Sequence, residues 1–297
     1  MTIDAFLAKH QLDVNYQSFA QKWFNPLVHA IFEHHKSAEK PLYVGINGCQ
    51  GSGKSTLADY LAMCLHEDYA LQVVVCSLDD FYLPAESRQQ LARTVHPLLS
   101  TRGVPGTHDV TLLEQVLLHC QQSTTLTPLA NPRFDKASDN PFPRHQWPQI
   151  TLPVDVVLFE GWCWGVRSQD SEALATPVNT LEQNKDTSGD WRRFVNTQLL
   201  HHYEPLYALM DLWVMLKAPS FDAVAQWREQ QEAKLRASIS SDKGTKVMSP
   251  EQVLQFIQHF QRLTEHGLKT LPAYCDWVYE LDYNRDIHTL SGKLAGD

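Results

Sequence analysis

Eight residues constrain this chain most: Gly48-Cys49-Gln50-Gly51-Ser52-Gly53-Lys54-Ser55. They fit the pattern G-x-x-x-x-G-K-[ST]. Pro41 to Asn47, before them, is a short apolar run of strand length. Ser55 to Leu65, after them, carries Leu57, Ala58, Leu61, Ala62 and Leu65 at helical spacing. Strand, glycine turn and helix in that order form a unit whose backbone N–H groups can close around the phosphates of a nucleoside triphosphate. In that unit the lysine reaches the β- and γ-phosphates and the following hydroxyl is offered to Mg²⁺. Gly48, Gly51, Ser52, Gly53, Lys54, Ser55 and Thr56 are therefore the expected ATP-binding residues. The alternative is a glycine-rich turn before an ordinary helix.

Four further apolar runs have strand length: 71–77, 154–159, 211–217 and 276–281. Helical segments separate them. Strands alternating with helices predict an α/β fold with a parallel sheet covered on both faces. Together with the loop this predicts a P-loop NTPase fold: a five-stranded parallel core sheet, helices on both faces and a helical lid. The 297 residues are expected to form one domain, with residues 1–38 as an amphipathic helical extension (Phe6, Leu7, Phe19, Trp23, Leu27, Ile31). The Pro-rich segments 95–109 and 127–149 read as long ordered loops, and 168–190 as polar and exposed. Long ordered loops beside a phosphate site are usually functional.

Composition removes several classes. A net charge of −9 argues against a broad nucleic-acid surface. No run of eighteen apolar residues offers a membrane span, and Met1 to His10 lacks the basic leader and apolar core of a signal peptide. The six cysteines form no C-x-x-C pair, so free thiols in a reducing cytoplasm are expected. The fourteen histidines include no H-E-x-x-H. Oligomeric state is not legible.

Three segments could carry chemistry. Ser77-Leu-Asp-Asp-Phe-Tyr-Leu83 follows the second strand, at the sheet edge where ligands of open α/β folds bind. Asp79 and Asp80 would face the γ-phosphate, able to receive a hydroxyl proton or hold Mg²⁺; the alternative is a turn or capping aspartate. Glu160, ending the third strand, sits where an acid organises Mg²⁺ in phosphate-loop proteins. Arg228, Glu232, Lys234 and Arg236 form a ladder read either as a solvated helix face or as a lid, residues 219–247, closing over the phosphoryl group. A GTPase is discounted: Asn184-Lys185-Asp186-Thr187 has the wrong fourth residue for N-K-x-D, and Asp186-Thr-Ser-Gly189 spells D-x-x-G without an apolar strand before it.

Beyond the loop, Ser77-Leu-Asp-Asp-Phe-Tyr, Arg102-Gly-Val-Pro-Gly-Thr-His-Asp109, Arg133-Phe-Asp-Lys-Ala137 and Phe159-Glu-Gly-Trp-Cys163 resemble the plant-type D-glycerate 3-kinases. That family is similar to phosphoribulokinase, uridine kinase and pantothenate kinase. Pro177 to Glu182, Trp191-Arg192 and Arg262 to Thr264 also resemble it. The match runs from about residue 40 to about 290. The resemblance implies an ATP- and Mg²⁺-dependent kinase of a small hydroxy acid. It places Asp79 at the catalytic base, beside Lys54, and Ser55 with Glu160 at the metal. It places Asp80, Tyr82, Arg102, His108, Asp109 and Arg133 around the acceptor. Two alternatives stay open: a kinase of another acceptor, such as a nucleoside, sugar phosphate or pantothenate, or an ATP-binding regulator without kinase activity.

Overall fold

The computed structural model describes residues 1–238 and 248–294, with the backbone alone for 234–238. In chain order the strands are β1 (Leu42–Gly48), β2 (Val73–Ser77), β3 (Thr127–Ala130), β4 (Phe134–Asp135), β5 (Asn140–Pro141), β6 (Gln149–Leu152), β7 (Val156–Gly161), β8 (Leu212–Lys217), β9 (Trp277–Leu281) and β10 (Ile287–Ser291). Six form one sheet in the order β10-β9-β8-β1-β7-β2. The five expected strands are its parallel members. β10 adds an antiparallel edge to β9, outside that five-stranded parallel core. β1 and β7 are buried at every position, as near-continuous apolar runs covered on both faces require.

The helices are α1 (Ile3–His10), α2 (Tyr16–Lys36), α3 (Lys54–Tyr69), α4 (Ala85–Thr94), α5 (Val110–Gln122), α6 (Thr180–Lys185), α7 (Asp190–Gln198), α8 (Glu204–Tyr207), α9 (Phe221–Ser238) and α10 (Pro250–Thr270). They cover both sheet faces. The Tyr43 hydroxyl reaches the Leu117 carbonyl of α5, while the Tyr279 hydroxyl reaches the Trp23 carbonyl of α2. The register of β1, β8 and β9 puts those two tyrosines on opposite faces. α10 starts with a full capping box: Ser249 and Gln252 satisfy each other's backbone N–H groups, with Pro250 at the first helical position. No described helix is long and apolar enough to cross a membrane.

The N-terminal segment packs on the core. Phe6 of α1 meets Tyr60 of α3 edge-on at 5.6 Å, and His10 Nε2 lies 2.8 Å from Asp59 Oδ2.

Two loop readings also change. Segment 127–149 is bound by short antiparallel pairs, β3 with β6 and β4 with β5. Segment 168–190 is not simply exposed, since Glu182 and Asp186 are buried. Arg262 of α10 grips Glu182 with two nitrogens, at 2.8 and 2.6 Å, and Arg192 of α7 pairs with Asp186 at 2.9 Å. Breaking one partner from such a buried pair costs about 3–5 kcal/mol, because it strands the other charge. The three C-terminal motifs that resembled the family thus tie α6, α7 and α10 together. Asp186, from the near-miss to N-K-x-D, accepts the backbone N–H groups of Trp191 and Arg192.

Candidate active site

β1, β7 and β2 run parallel, so their C-termini share one edge; Asn47 aligns with Gly161 and Ser77 with Glu160. The phosphate loop leaves β1 there. Gly51 and Gly53 hold φ of +81° and +93°, the left-handed region where other residues are strained. At Gly48 a Cβ would stand 2.5 Å from Ser52 Oγ. α3 begins at Lys54, so its unpaired N-terminal N–H groups open onto the loop.

Ser55 Oγ donates to Glu160 Oε1 at 2.7 Å, and Lys54 Nζ stands 3.7 Å from Glu160 Oε2. That second oxygen is buried without a hydrogen-bond partner among the described residues. Hydroxyl and carboxylate oxygens are the hard donors Mg²⁺ prefers. Among the described residues no group of three or more His, Cys, Asp or Glu could hold a metal. A Mg²⁺ ion here would complete its shell with phosphate oxygens and water, which is its habit in phosphoryl-transfer sites. Burial acts to lower the Lys54 pKa, but Glu160 and Asp79 more than offset it, leaving the ammonium above its ordinary value. Thr56 is turned elsewhere, its hydroxyl 3.3 Å from His10 Nδ1. The Cys49 thiol is pushed up to about 12 by burial and is inert at neutral pH.

The Asp79 segment and the Arg102–Asp109 loop are laced together. Leu83 N–H donates to the Thr107 carbonyl at 2.9 Å and Asp109 N–H to the Phe81 carbonyl at 2.7 Å. Tyr82 therefore faces His108, and their rings stack at 4.6 Å. The Arg133–Ala137 loop is fixed by Asp80, which accepts from Phe134 N–H at 3.1 Å and pairs with Arg133 at 3.2 Å. Arg102 pairs with Asp139 and lies over the Phe134 ring at 5.6 Å. The fold thus brings Asp79, Asp80, Tyr82, Arg102, His108 and Arg133 into one connected network. Asp109 instead caps α5 through Leu112 N–H at 3.0 Å.

Asp79 receives the Tyr82 hydroxyl and the Lys136 ammonium, each at 2.7 Å. Burial acts to raise its pKa, but Lys136, Lys54 and those hydrogen bonds hold it well below the usual carboxylate range. Burial raises Asp80, with Arg133 opposing. His108 is pushed down to about 3 by burial, against the pull of Asp79. A histidine held neutral in the native state binds its proton in the unfolded chain first, so stability falls as pH drops below the unfolded value near 6.5. Each pH unit in that window costs about 1.4 kcal/mol for such a group. Thermal melts between pH 6.5 and 4 should show this slope, and His108→Gln should flatten it. An unchanged slope would place the titration elsewhere.

Of the candidate lid, the described part is docked. Trp227 of α9 is fully buried, and a Cβ on Gly51 would come within 2.9 Å of it. Trp227 Nε1 donates to the Tyr283 carbonyl at 2.8 Å. Arg285 lies over the same indole and donates from Nε to the Gly51 carbonyl at 2.7 Å. Arg228 pairs with Glu232 at 2.8 Å and lies 5.8 Å from the Phe256 ring centre, so its charge is engaged by α9 and α10. Glu232 is buried and accepts Met248 N–H, which corrects the picture of a solvated ladder. The side chains of Lys234 and Arg236, and residues 239–247, lie outside the described residues.

No family model matches the chain. It is 36% identical over 233 residues to the uncharacterized kinase mug58 of Schizosaccharomyces pombe, covering 76% of this chain and 80% of that one. It is 30% identical over 244 residues to the chloroplastic D-glycerate 3-kinase of Arabidopsis thaliana. Here the match covers 78% of this chain but only 49% of the plant protein. The solved structure of D-glycerate 3-kinase from Cryptococcus neoformans superposes with a TM-score of 0.72 at 27% identity, over 89% of this chain and 96% of that one. At 36% identity over 80% of the length of mug58, the chain belongs to the same kinase family as that protein. In this family member sequence reading missed Lys136 as a direct partner of Asp79, Trp227 and Arg285 as supports of the phosphate loop, and Tyr203 beside His108. Only Lys136 had a sequence signal, its place in Arg133-Phe-Asp-Lys-Ala137.

Proposed function

We propose that this kinase transfers the γ-phosphoryl group of ATP to D-glycerate, giving 3-phosphoglycerate. The observation that carries the reading is Asp79: an ionised carboxylate beside Lys54 of the phosphate loop and bonded to both Tyr82 and Lys136. Its low pKa makes it a weak base. Phosphoryl transfer has a loose transition state, so a hydroxyl need only be aimed in line and release its proton late. Asp79 would do that. Lys54 and the loop amides would hold the β- and γ-phosphates. Ser55 and Glu160 would hold Mg²⁺, which neutralises charge on those phosphates.

Glycerate is too small to bind by apolar burial, so polar groups must recognise it. A guanidinium fork matches a carboxylate. Arg102 and Arg133 are each held by one carboxylate, Asp139 and Asp80, which orients the planar group in advance. Truncating one partner of a desolvated charge pair costs about 2–5 kcal/mol. Arg102→Ala or Arg133→Ala should therefore lower kcat/KM for glycerate at least about tenfold, with ATP binding nearly normal. Asp139→Asn loosens the hold on Arg102 without removing its charge; because Asp139 also pairs with buried Arg88 at 2.7 Å, the fold of this variant is checked alongside. An ADP-release assay over glycerate, glycerol, uridine and pantothenate tests the whole reading. Glycerol lacks the carboxylate and should be a very poor acceptor. Efficient turnover of glycerol or uridine would overturn glycerate while leaving a kinase. Buried, free cysteines support a reducing compartment such as the cytoplasm. The whole chain is taken to act as one kinase domain.

A further inference from the structure

His108 has a buried polar atom that the fold does not use. The residue is 4% exposed, yet Nε2 has no hydrogen-bond partner among the described residues. A buried polar group left unpaired destabilises the fold, so one that persists points to a ligand. The rest of the ring is fixed. It stacks on Tyr82, and Nδ1 lies 2.7 Å from the Tyr203 hydroxyl. That hydroxyl already accepts the Gly106 N–H at 3.2 Å. Tyr203 is fully buried, and Nδ1 is the acceptor the structure gives for its single proton. A neutral imidazole whose Nδ1 accepts must carry its own proton on Nε2. The unused atom is therefore an N–H donor. Tyr203 ends a π-helical turn, Leu199–Tyr203, between α7 and α8. Such turns are rare and concentrate at functional sites.

We propose that Tyr203 is a positioning residue that locks His108 as its Nε2–H tautomer, and that this N–H donates to an oxygen of the bound acceptor. The inference rests on the kinase reading and deepens it. His108 is close enough to feel the Asp79 charge, and it stacks on the tyrosine that donates to Asp79. The two side chains make opposite demands. Asp79 only accepts, and its oxygens keep lone pairs beyond those taken by Tyr82 and Lys136 for the reacting hydroxyl to donate to. His108 needs an acceptor, which a neighbouring hydroxyl or a carboxylate oxygen supplies. A small hydroxy acid presents both. A neutral imidazole also suits the site, because an imidazolium would compete for the Asp79 carboxylate that the hydroxyl must reach.

Tautomer and kinetics test the proposal together. ¹⁵N chemical shifts should show His108 as Nε2–H in the wild type, and Tyr203→Phe should redistribute the proton between the two nitrogens. The same variant should raise the acceptor KM about five- to thirtyfold, the effect of one misaligned buried hydrogen bond, with kcat and the ATP KM within about twofold. His108→Gln can place an amide N–H near the Nε2 position and should lose clearly less acceptor affinity than His108→Asn, which places it near Nδ1 and should lose about tenfold. Relative losses with 3-hydroxypropionate, which lacks the second hydroxyl, and with glycerol tell which oxygen is contacted. An Nδ1–H tautomer in the wild type, an acceptor KM unmoved in Tyr203→Phe, or equal losses in the Gln and Asn variants would each overturn it. If glycerate is not phosphorylated at all, the glycerate assignment falls. The tautomer and the KM for whichever acceptor is turned over still decide the role of Tyr203.

Discussion

Lys54→Ala should abolish most turnover, lowering kcat/KM by about 10²–10³-fold or more, the cost of removing a preorganised charge from a developing phosphate. The ammonium stands 3.7 Å from Glu160 and within the field of Asp79. Its loss leaves the buried Glu160 and the half-buried Asp79 less compensated, so Lys54→Met, which keeps the packing, is the companion variant. Circular dichroism should show a retained fold in both. Near-normal turnover in either would mean that the loop does not hold the reacting nucleotide.

Asp79→Asn should lower kcat by about 10²–10⁴-fold, the range for a positioned proton acceptor. It keeps the shape and a partner for Tyr82 while removing the charge that Lys136 and Lys54 face. ATP affinity should change little. Asp80→Asn should act differently, because Asp80 holds Arg133 and Phe134; its effect should fall on the acceptor KM. A larger kcat loss in Asp80→Asn than in Asp79→Asn would exchange their roles. An effect of Asp79→Asn on ATP affinity alone would move that residue to nucleotide or metal binding.

The parallel strands were readable because each is an apolar run between turn signals, and the phosphate loop because its chemistry is written in eight adjacent residues. β10 escaped notice for the opposite reason. Ile287-His-Thr-Leu-Ser291 lies at an edge with one buried residue, so it shows no apolar run. Glu182 and Asp186 read as exposed because a buried charge is recognised only with its partner, and Arg262 lies 80 residues from Glu182. Lys136 and Arg285 are cations in irregular segments, with no periodicity to mark them. Their meaning comes from contacts 57 and 234 residues away, with Asp79 and with Gly51.

The hold of Arg285 on Gly51 bears on how the protein comes into being. Synthesis runs from the N-terminus, so the phosphate loop leaves the ribosome long before the turn that braces it. The 234 residues between them take about 12–47 s at the usual elongation rate of roughly 5–20 residues per second. Within that interval β1 gains its two sheet neighbours in turn, β7 first and then β8. The brace on the phosphate loop thus forms only after β1 to β9 have all been made, so a nascent chain carrying the whole glycine motif still lacks its Arg285 contact.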